Sequence, residues 1–185
     1  SSAASDVYKR QLMRDMGVVT LPITKDNKLE GLITIADIAT SYMDVHDSTT
    51  LSTARTVCRN IVETLDGELI IGDEHHVFDR GKVLVAAANP DLMESYIKMG
   101  DIVILGNRYE SQLCAIEMQA GCIVVCEGAP VSMTIKKLAV ENHCTIISTP
   151  HDTFTASRLI NQSVPISFFM RTEGLITFST EAYTD

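Results

Sequence analysis

The sequence predicts an α/β domain organised around a parallel β-sheet. Three apolar runs of four or five residues follow one another at 102–105, 122–126 and 145–148. Each run is rich in β-branched residues and is closed by a turn. Continuous apolar runs, rather than alternating ones, are typical of strands buried on both faces, as in a parallel sheet. Because these strands alternate with predicted helices, we expect right-handed βαβ crossovers.

The turn after each run also contains a signal for the start of a helix. Asn107, with Glu110 three residues later, has the spacing of a capping box. Pro130 suits a first helical position. Asp152 or Thr153 can cap the helix that comes after the third run. Each of the three strands is therefore expected to lead directly into a helix.

The remaining elements are predicted from apolar runs and turn residues. Residues 1–11 are small, polar and unlike the rest of the chain, so we interpret them as a non-native addition. The other expected elements are, in order, a helix end at 12–16, a hairpin of strands 21–24 and 29–34, a helix at 35–43, a linker at 45–53, a helix at 54–65, strands at 68–71 and 82–86, and a helix from Asn89 that stops at Gly100.

The composition argues against two classes of partner. A net charge of −9 does not suit a nucleic-acid surface, because phosphate binding needs a basic face. No apolar run approaches the about 18 residues of a membrane span, so we expect no membrane contact. The five cysteines lack metal-ligand spacing and lie mostly in apolar segments. This pattern favours free, buried thiols in a reducing cytoplasm.

The first hairpin and the helix after it carry a specific pattern. The segments Leu21–Ile23 and Gly31–Ile38 combine a proline-containing strand, a short turn and a Gly-apolar-apolar-Thr-x-x-Asp string. This pattern resembles the second half of a CBS motif, a β-α-β-β-α unit that pairs with a second copy to bind adenosine derivatives. The resemblance implies a partial CBS motif at 12–44. A helical turn and the run Gly174–Phe178 resemble the start of a second motif at 165–185.

The central segment 54–164 resembles the DRTGG domain. The matching landmarks are 106–108, 126–128 and 149–155. The Asp-Arg and Gly-Gly pairs that give the family its name are replaced here by Asn107-Arg108 and by Glu127-Gly128 followed by alanine. This departure weakens the expectation of an anion site in that loop.

Thr34 and Asp37 are the residues we expect to bind a nucleotide. The Thr34 hydroxyl and the first N–H groups of the next helix can hold a phosphate, because the positive end of the helix lies behind them. The Asp37 carboxylate can accept hydrogen bonds from both ribose hydroxyls. The CBS resemblance assigns these roles to the matching positions and implies that Leu21, Pro22 and Ile33 line the adenine. The competing interpretation is a capping box, since Thr-x-x-Asp before an apolar helix has that spacing too.

The other polar residues are interpreted as structural. Arg108 lies beyond the carboxyl end of a predicted strand, where α/β domains bind ligands, but a surface arginine is the favoured interpretation. The pairs 75–76 and 151–152 contain histidine, yet adjacent side chains diverge and no carboxylate cluster has ligand spacing, so no metal site is expected. The sequence contains neither a nucleophile elbow nor a glycine-rich phosphate loop. We therefore expect no catalytic residue in this chain.

A DRTGG domain between CBS halves resembles the regulatory insert of the manganese-dependent, family II inorganic pyrophosphatases of the DHH type. The match continues through Ala36–Asp44 and Ile61–Gly67. The resemblance implies a homodimer in which adenine nucleotides control pyrophosphate hydrolysis. AMP and ADP would inhibit, and ATP and diadenosine polyphosphates would activate. The Mn²⁺-binding residues of the DHH domains have no counterpart in this sequence.

Two alternatives remain open from the sequence. The first is a CBS–DRTGG nucleotide-sensing or interaction module attached to a different enzyme, such as a phosphotransacetylase-like or thioesterase-like protein. A DHH motif upstream of Leu12 would distinguish the pyrophosphatase from this alternative. The second is that the central α/β domain is itself a small enzyme, which turnover of pyrophosphate by this chain would reveal.

Overall fold

A five-stranded sheet lies at the centre of the chain. The computed structural model describes residues 20–34, 48–86 and 89–169. The sheet contains β4 (Glu68–Ile71), β6 (Val83–Val85), β7 (Ile102–Leu105), β8 (Cys122–Val125) and β9 (Thr145–Ser148), in the spatial order β4-β9-β8-β7-β6. Strands β6 to β9 are parallel, which confirms the predicted parallel sheet. The edge strand β4 runs antiparallel to β9, a direction that the sequence did not predict.

Helices cover both faces of this sheet. Every residue of β7 and β8 is buried. On one face their side chains pack with α2 (Cys58–Thr64) and α6 (Thr153–Leu159). On the other face they pack with α3 (Pro90–Tyr96), α4 (Tyr109–Glu117) and α5 (Met133–Glu141). The continuous apolar runs are explained by this double burial, because successive strand residues point to opposite faces and each face has a helical layer.

The predicted helix starts are confirmed in two cases. Asn89 is the N-cap of α3, and its side-chain oxygen accepts a hydrogen bond of 3.1 Å from the Leu92 N–H. Asp152 is the N-cap of α6, and its Oδ1 accepts a hydrogen bond of 2.7 Å from the Thr155 N–H. Each cap satisfies one of the N–H groups that a helix start leaves without an intrahelical partner.

Two predicted helix starts are wrong. Asn107 does not cap α4, because the backbone is still extended at Arg108, which is the N-cap and makes no side-chain cap bond. Pro130 lies three residues before α5 and belongs to the loop. Ser132 is the N-cap there, and its hydroxyl accepts a hydrogen bond of 3.2 Å from the Ile135 N–H. The serine supplies the cap that the proline cannot, and the helix therefore begins after it.

The segment before the sheet is more divided than the sequence predicts. A short helix, α1 (Thr50–Thr53), lies within the predicted linker, and its Leu51 belongs to the buried core. The helix predicted at 54–65 begins only at α2, because β3 (Thr56–Val57) first pairs with β5 (Val77–Phe78). No helix in the described part of the chain is long and apolar enough to cross a membrane.

The predicted hairpin is confirmed. Strands β1 (Thr20–Lys25) and β2 (Lys28–Thr34) pair antiparallel. The turn residues Asp26 and Asn27 both have positive φ, +50° and +59°, as the two-residue turns that match strand twist require. Strand β2 lies against the 3₁₀ turn Ile166–Phe169, which comes after the central unit. The predicted elements at 12–16, 35–43 and 174–178 lie outside the described residues.

The five cysteines are free and buried, as predicted. Burial raises the pKa of Cys58 and Cys126 to about 11 and the pKa of Cys144 to about 12. Burial raises the pKa of Cys122 well above its ordinary value as well. These thiols stay protonated in the folded chain at pH values at which the unfolded chain ionises them.

We expect the free energy of unfolding to decrease as the pH is raised from 8 to 10. The stabilising effect of a thiol with a raised pKa is complete below the unfolded pKa of about 9 and is lost as the pH rises toward the folded value. Each such thiol lowers the free energy of unfolding by about 1.4 kcal/mol per pH unit above pH 9. Urea denaturation at the two pH values measures this slope.

The Cys144→Ala variant is the control for this slope. Lysines and tyrosines titrate alike in both proteins, so the difference between the two slopes isolates one thiol. The variant is expected to lose less stability per pH unit than the parent chain. Equal slopes in the two proteins would contradict the assignment.

Candidate functional site

The register of the hairpin decides which predicted site residues share a surface. Leu21 lies opposite Ile33, and Thr20 lies opposite Thr34. Directly opposed side chains of an antiparallel pair lie on one face, and successive residues alternate between faces. The structure therefore brings Leu21 and Ile33 together on one face, and Pro22 and Thr34 on the other.

The two faces of the hairpin differ in exposure. Ile33 is 1% exposed and Leu21 is half-buried, so their face is the packed one. On the opposite face Pro22 is exposed and Thr34 is half-buried. An adenine ring can therefore meet the side chains of only one of these pairs. Asp37 lies outside the described residues.

Leu32 is a candidate that the sequence reasoning missed. It lies directly opposite Pro22 in the hairpin and is half-buried. Its side chain is on the same face as those of Pro22 and Thr34, because it is two residues before Thr34 in β2. The period-two alternation of strands could have identified it. A nucleotide whose phosphate is held at Thr34 would find its apolar wall at Pro22 and Leu32.

The three landmark loops of the central unit meet at one edge of the sheet. They come after β7, β8 and β9, and the carboxyl ends of parallel strands lie at the same edge. The Glu127 N–H donates to the His151 carbonyl at 2.8 Å, and the Gly128 N–H donates to the Thr149 carbonyl at 2.9 Å. Both residues at 127 and 128 have positive φ, about +60°. The second and third loops are thus joined by their backbones.

Side chains attach the third loop to the turn before β4. The buried Thr149 hydroxyl donates to the Leu65 carbonyl at 2.6 Å. The His151 Nε2 lies 3.0 Å from the Asp66 Oδ2. The N–H bond at Thr155 lowers the pKa of the Asp152 carboxyl, and so does the hydrogen bond with the Thr155 side chain. These contacts all lie within the domain, so they give the landmark residues a structural role. We call the contacts that attach the third loop to the turn before β4 the latch.

The remaining histidines are found in loop contacts. The His75 Nε2 lies 3.4 Å from the Glu74 Oε1, and the His76 ring packs edge-on against Phe78. The Arg59 guanidinium hydrogen-bonds the same Glu74 and lowers the pKa of its carboxyl. Within residues 20–34, 48–86 and 89–169, no group of three or more His, Cys, Asp or Glu side chains is close enough to hold a metal ion.

Comparison with known proteins identifies the central unit. The DRTGG domain family matches residues 60–163. This chain belongs to the DRTGG domain family. The central unit is therefore a DRTGG domain, as the landmark loops indicated.

The relatives of this DRTGG chain are much longer proteins. The chain is 40% identical over 172 residues to a cobalt-dependent inorganic pyrophosphatase of Clostridium perfringens, covering 92% of this chain and 31% of that protein. It is 27% identical over 159 residues to a "probable manganese-dependent inorganic pyrophosphatase" of Thermotoga maritima, covering 86% of this chain and 29% of that protein. The DRTGG chain thus spans less than a third of the length of these relatives.

A solved structure matches most of this chain. It contains the CBS and DRTGG domains of the regulatory region of the Clostridium perfringens pyrophosphatase, complexed with the activator diadenosine tetraphosphate. The TM-score is 0.83 at 38% identity, and the match covers 91% of this chain and 74% of that chain. The resemblance to a pyrophosphatase regulatory region is confirmed.

We expect Thr149→Val to destabilise the DRTGG domain by about 1–3 kcal/mol, because it leaves the buried Leu65 carbonyl without this donor. Valine has nearly the same shape as threonine, so the change isolates the hydroxyl. Urea denaturation measures the loss. The matched control is Thr134→Val on the exposed side of α5, which should change stability by less than about 0.5 kcal/mol. Equal effects of the two substitutions would contradict the latch.

Proposed function

We propose that this chain is the adenine-nucleotide-sensing regulatory region of an inorganic pyrophosphatase. Pyrophosphate hydrolysis would take place in domains outside this sequence. The observation that carries the proposal is the match over 91% of the chain to a regulatory region complexed with an adenine dinucleotide activator. The hairpin of the present chain supplies a second support, because its exposed face places a hydroxyl and two apolar residues together.

The nucleotide site that we propose is centred on Thr34 and Asp37. The hydroxyl at the carboxyl end of β2 would hold a phosphate, and the carboxylate would hold the ribose hydroxyls. Strand alternation favours Pro22 and Leu32 as the side chains beside the adenine. Leu21 and Ile33 would hold these two residues in place from the packed face of the hairpin. This arrangement differs from the sequence-based expectation that Leu21, Pro22 and Ile33 all line the adenine, because Leu21 and Ile33 are on the packed face.

Finer features of the regulation are part of the same proposal. AMP and ADP would lower the rate of pyrophosphate hydrolysis, and ATP and diadenosine polyphosphates would raise it. The catalytic domains would use Mn²⁺ or a similar divalent ion, since one relative is described as cobalt-dependent and another as manganese-dependent. Two copies would associate as a homodimer. Five unpaired thiols fit a reducing compartment, so the cytoplasm is the proposed location.

Thr34→Ala and Asp37→Ala should each weaken nucleotide binding by the whole protein. The loss of hydrogen bonds to a charged ligand is expected to cost about 1.5–3 kcal/mol of binding free energy. This corresponds to an increase of about tenfold to a hundredfold in Kd. Calorimetric titration with AMP and with diadenosine tetraphosphate measures the change.

Thr24→Ala is the matched control for Thr34→Ala. Thr24 is an exposed threonine on β1, near the turn end of the same hairpin, so its loss should leave Kd unchanged. Wild-type affinity in both site variants would reject the residue assignment. Hydrolysis of pyrophosphate by the present chain alone, with Mn²⁺, would reject the separation of sensing from catalysis.

A further inference from the structure

A cavity lies in the DRTGG domain, at the opposite end of the parallel strands from the landmark loops. Its volume is about 550 Å³. Its lining includes Gly100, Gly121 and His143, which come shortly before β7, β8 and β9. The cavity is therefore at the amino edge of the parallel strands. Its volume is in the range of about 300–1,000 Å³ that small-molecule sites occupy.

Gly100 and Gly121 form the floor of this cavity, and a buried carboxylate outside the lining holds their loops together. Asp101 is 2% exposed and accepts hydrogen bonds from the N–H groups of Lys82 and Lys98, at 2.9 and 2.8 Å. Its Oδ2 also lies 3.0 Å from the Lys82 Nζ. The Gly121 N–H donates to the Asp101 carbonyl at 2.9 Å. These bonds join three loops, so the floor does not depend on a ligand for its shape.

Two glycines allow the loops of this floor to pack closely against each other. A Cβ at Gly121 would approach the Gly100 carbonyl oxygen to 3.0 Å, and a Cβ at Gly81 would collide with that same peptide group. Gly81 also has a φ of +89°, which residues with side chains rarely adopt. Backbone rather than side chain therefore forms the bottom of the cavity.

The charges around the cavity favour an anion. The Arg80 guanidinium lines it and has no carboxylate partner among the described residues. Among the described lining residues the carboxylate is that of Asp79, whose Oδ2 lies 4.0 Å from the Arg55 Nη1. Because Asp79 lies beside a guanidinium outside the lining, the Arg80 guanidinium is the cation that stays available to a ligand. A guanidinium can bind a carboxylate or a phosphate with two parallel hydrogen bonds.

One wall of the cavity is aromatic. The ring centroids of His76 and Phe78 lie 4.8 Å apart with an interplanar angle of 81°. The Phe78 side chain is buried, whereas the His76 side chain is exposed. Met99, also in the lining, is 54% exposed although it is apolar. The exposed His76 ring and the exposed Met99 side chain beside a cation suit a planar ring that carries an acid group.

We propose that this cavity binds a small organic anion that contains a planar ring. The anionic group meets Arg80, and the ring lies against His76 and Met99, with the buried Phe78 ring supporting His76. Gln119 and His143 are exposed polar side chains in the same lining and provide further hydrogen bonds to the ligand. This site is separate from the nucleotide site proposed at the hairpin.

Titration followed by amide NMR tests this site in the present chain. The probes are phenyl phosphate, benzoate and inorganic phosphate. Saturable shifts of the Gly100 and Gly121 amide signals are expected with phenyl phosphate or with benzoate. Whichever of these two probes binds more tightly shows whether the natural ligand carries a phosphate or a carboxylate. Arg80→Gln should raise the Kd of that probe about tenfold or more, because a charge-assisted bond is lost.

Controls separate a loss of binding from a loss of folding. Lys137→Gln removes the same charge from the exposed surface of α5 and should leave Kd unchanged. His143→Asn alters a second lining residue with a side chain that tolerates its φ of +54°, and should also weaken binding. The absence of saturable shifts with both ring probes up to about 10 mM would overturn the proposal. Equal Kd values for Arg80→Gln and Lys137→Gln would overturn it too, and so would inorganic phosphate binding as tightly as the tighter ring probe.

Discussion

The burial of β7, β8 and β9 between two helical layers is the constraint on which the rest of the structure depends. A strand that is covered on both faces offers no side chain to solvent along its length, so ligands can meet the sheet only at its two edges. At the carboxyl edge, the landmark loops use their backbone groups to bind each other. At the amino edge, the Asp101 hydrogen bonds join the short turns, and a cavity lies beside them.

The hairpin obeys a different constraint, because only one of its faces is packed. A two-stranded hairpin is marginally stable by itself, and β2 lies against the 3₁₀ turn that comes after the central unit. The chain segments on the two sides of the DRTGG domain therefore approach each other. This proximity is what a sensor divided by an inserted domain requires. Neighbouring residues therefore differ in their surroundings: Ile33 is on the packed face of the hairpin, and Thr34 is on the opposite, less buried face.

The predictable part of the fold is the part that depends on local sequence. The strands at 102–105 and 145–148 follow from continuous apolar runs, and the caps Asn89 and Asp152 follow from side chains that bond their own helix start. The antiparallel direction of β4 could not be predicted, because it depends on the partner strand and not on Glu68–Ile71 itself. Strand alternation alone could have predicted that Leu21 and Pro22 are on opposite faces of the hairpin. The cavity at the amino edge could not be predicted, since His76, Arg80 and His143 come together only through the tertiary fold.

The central claim is that adenine nucleotides act on this DRTGG chain through the hairpin and not through the central sheet. Amide hydrogen exchange with and without diadenosine tetraphosphate tests it most directly, in the whole protein. The account predicts slower exchange at the end of β2, around Ile33 and Thr34, and unchanged exchange in the loops after β7, β8 and β9. Slower exchange confined to those loops, with none in the hairpin, would contradict it.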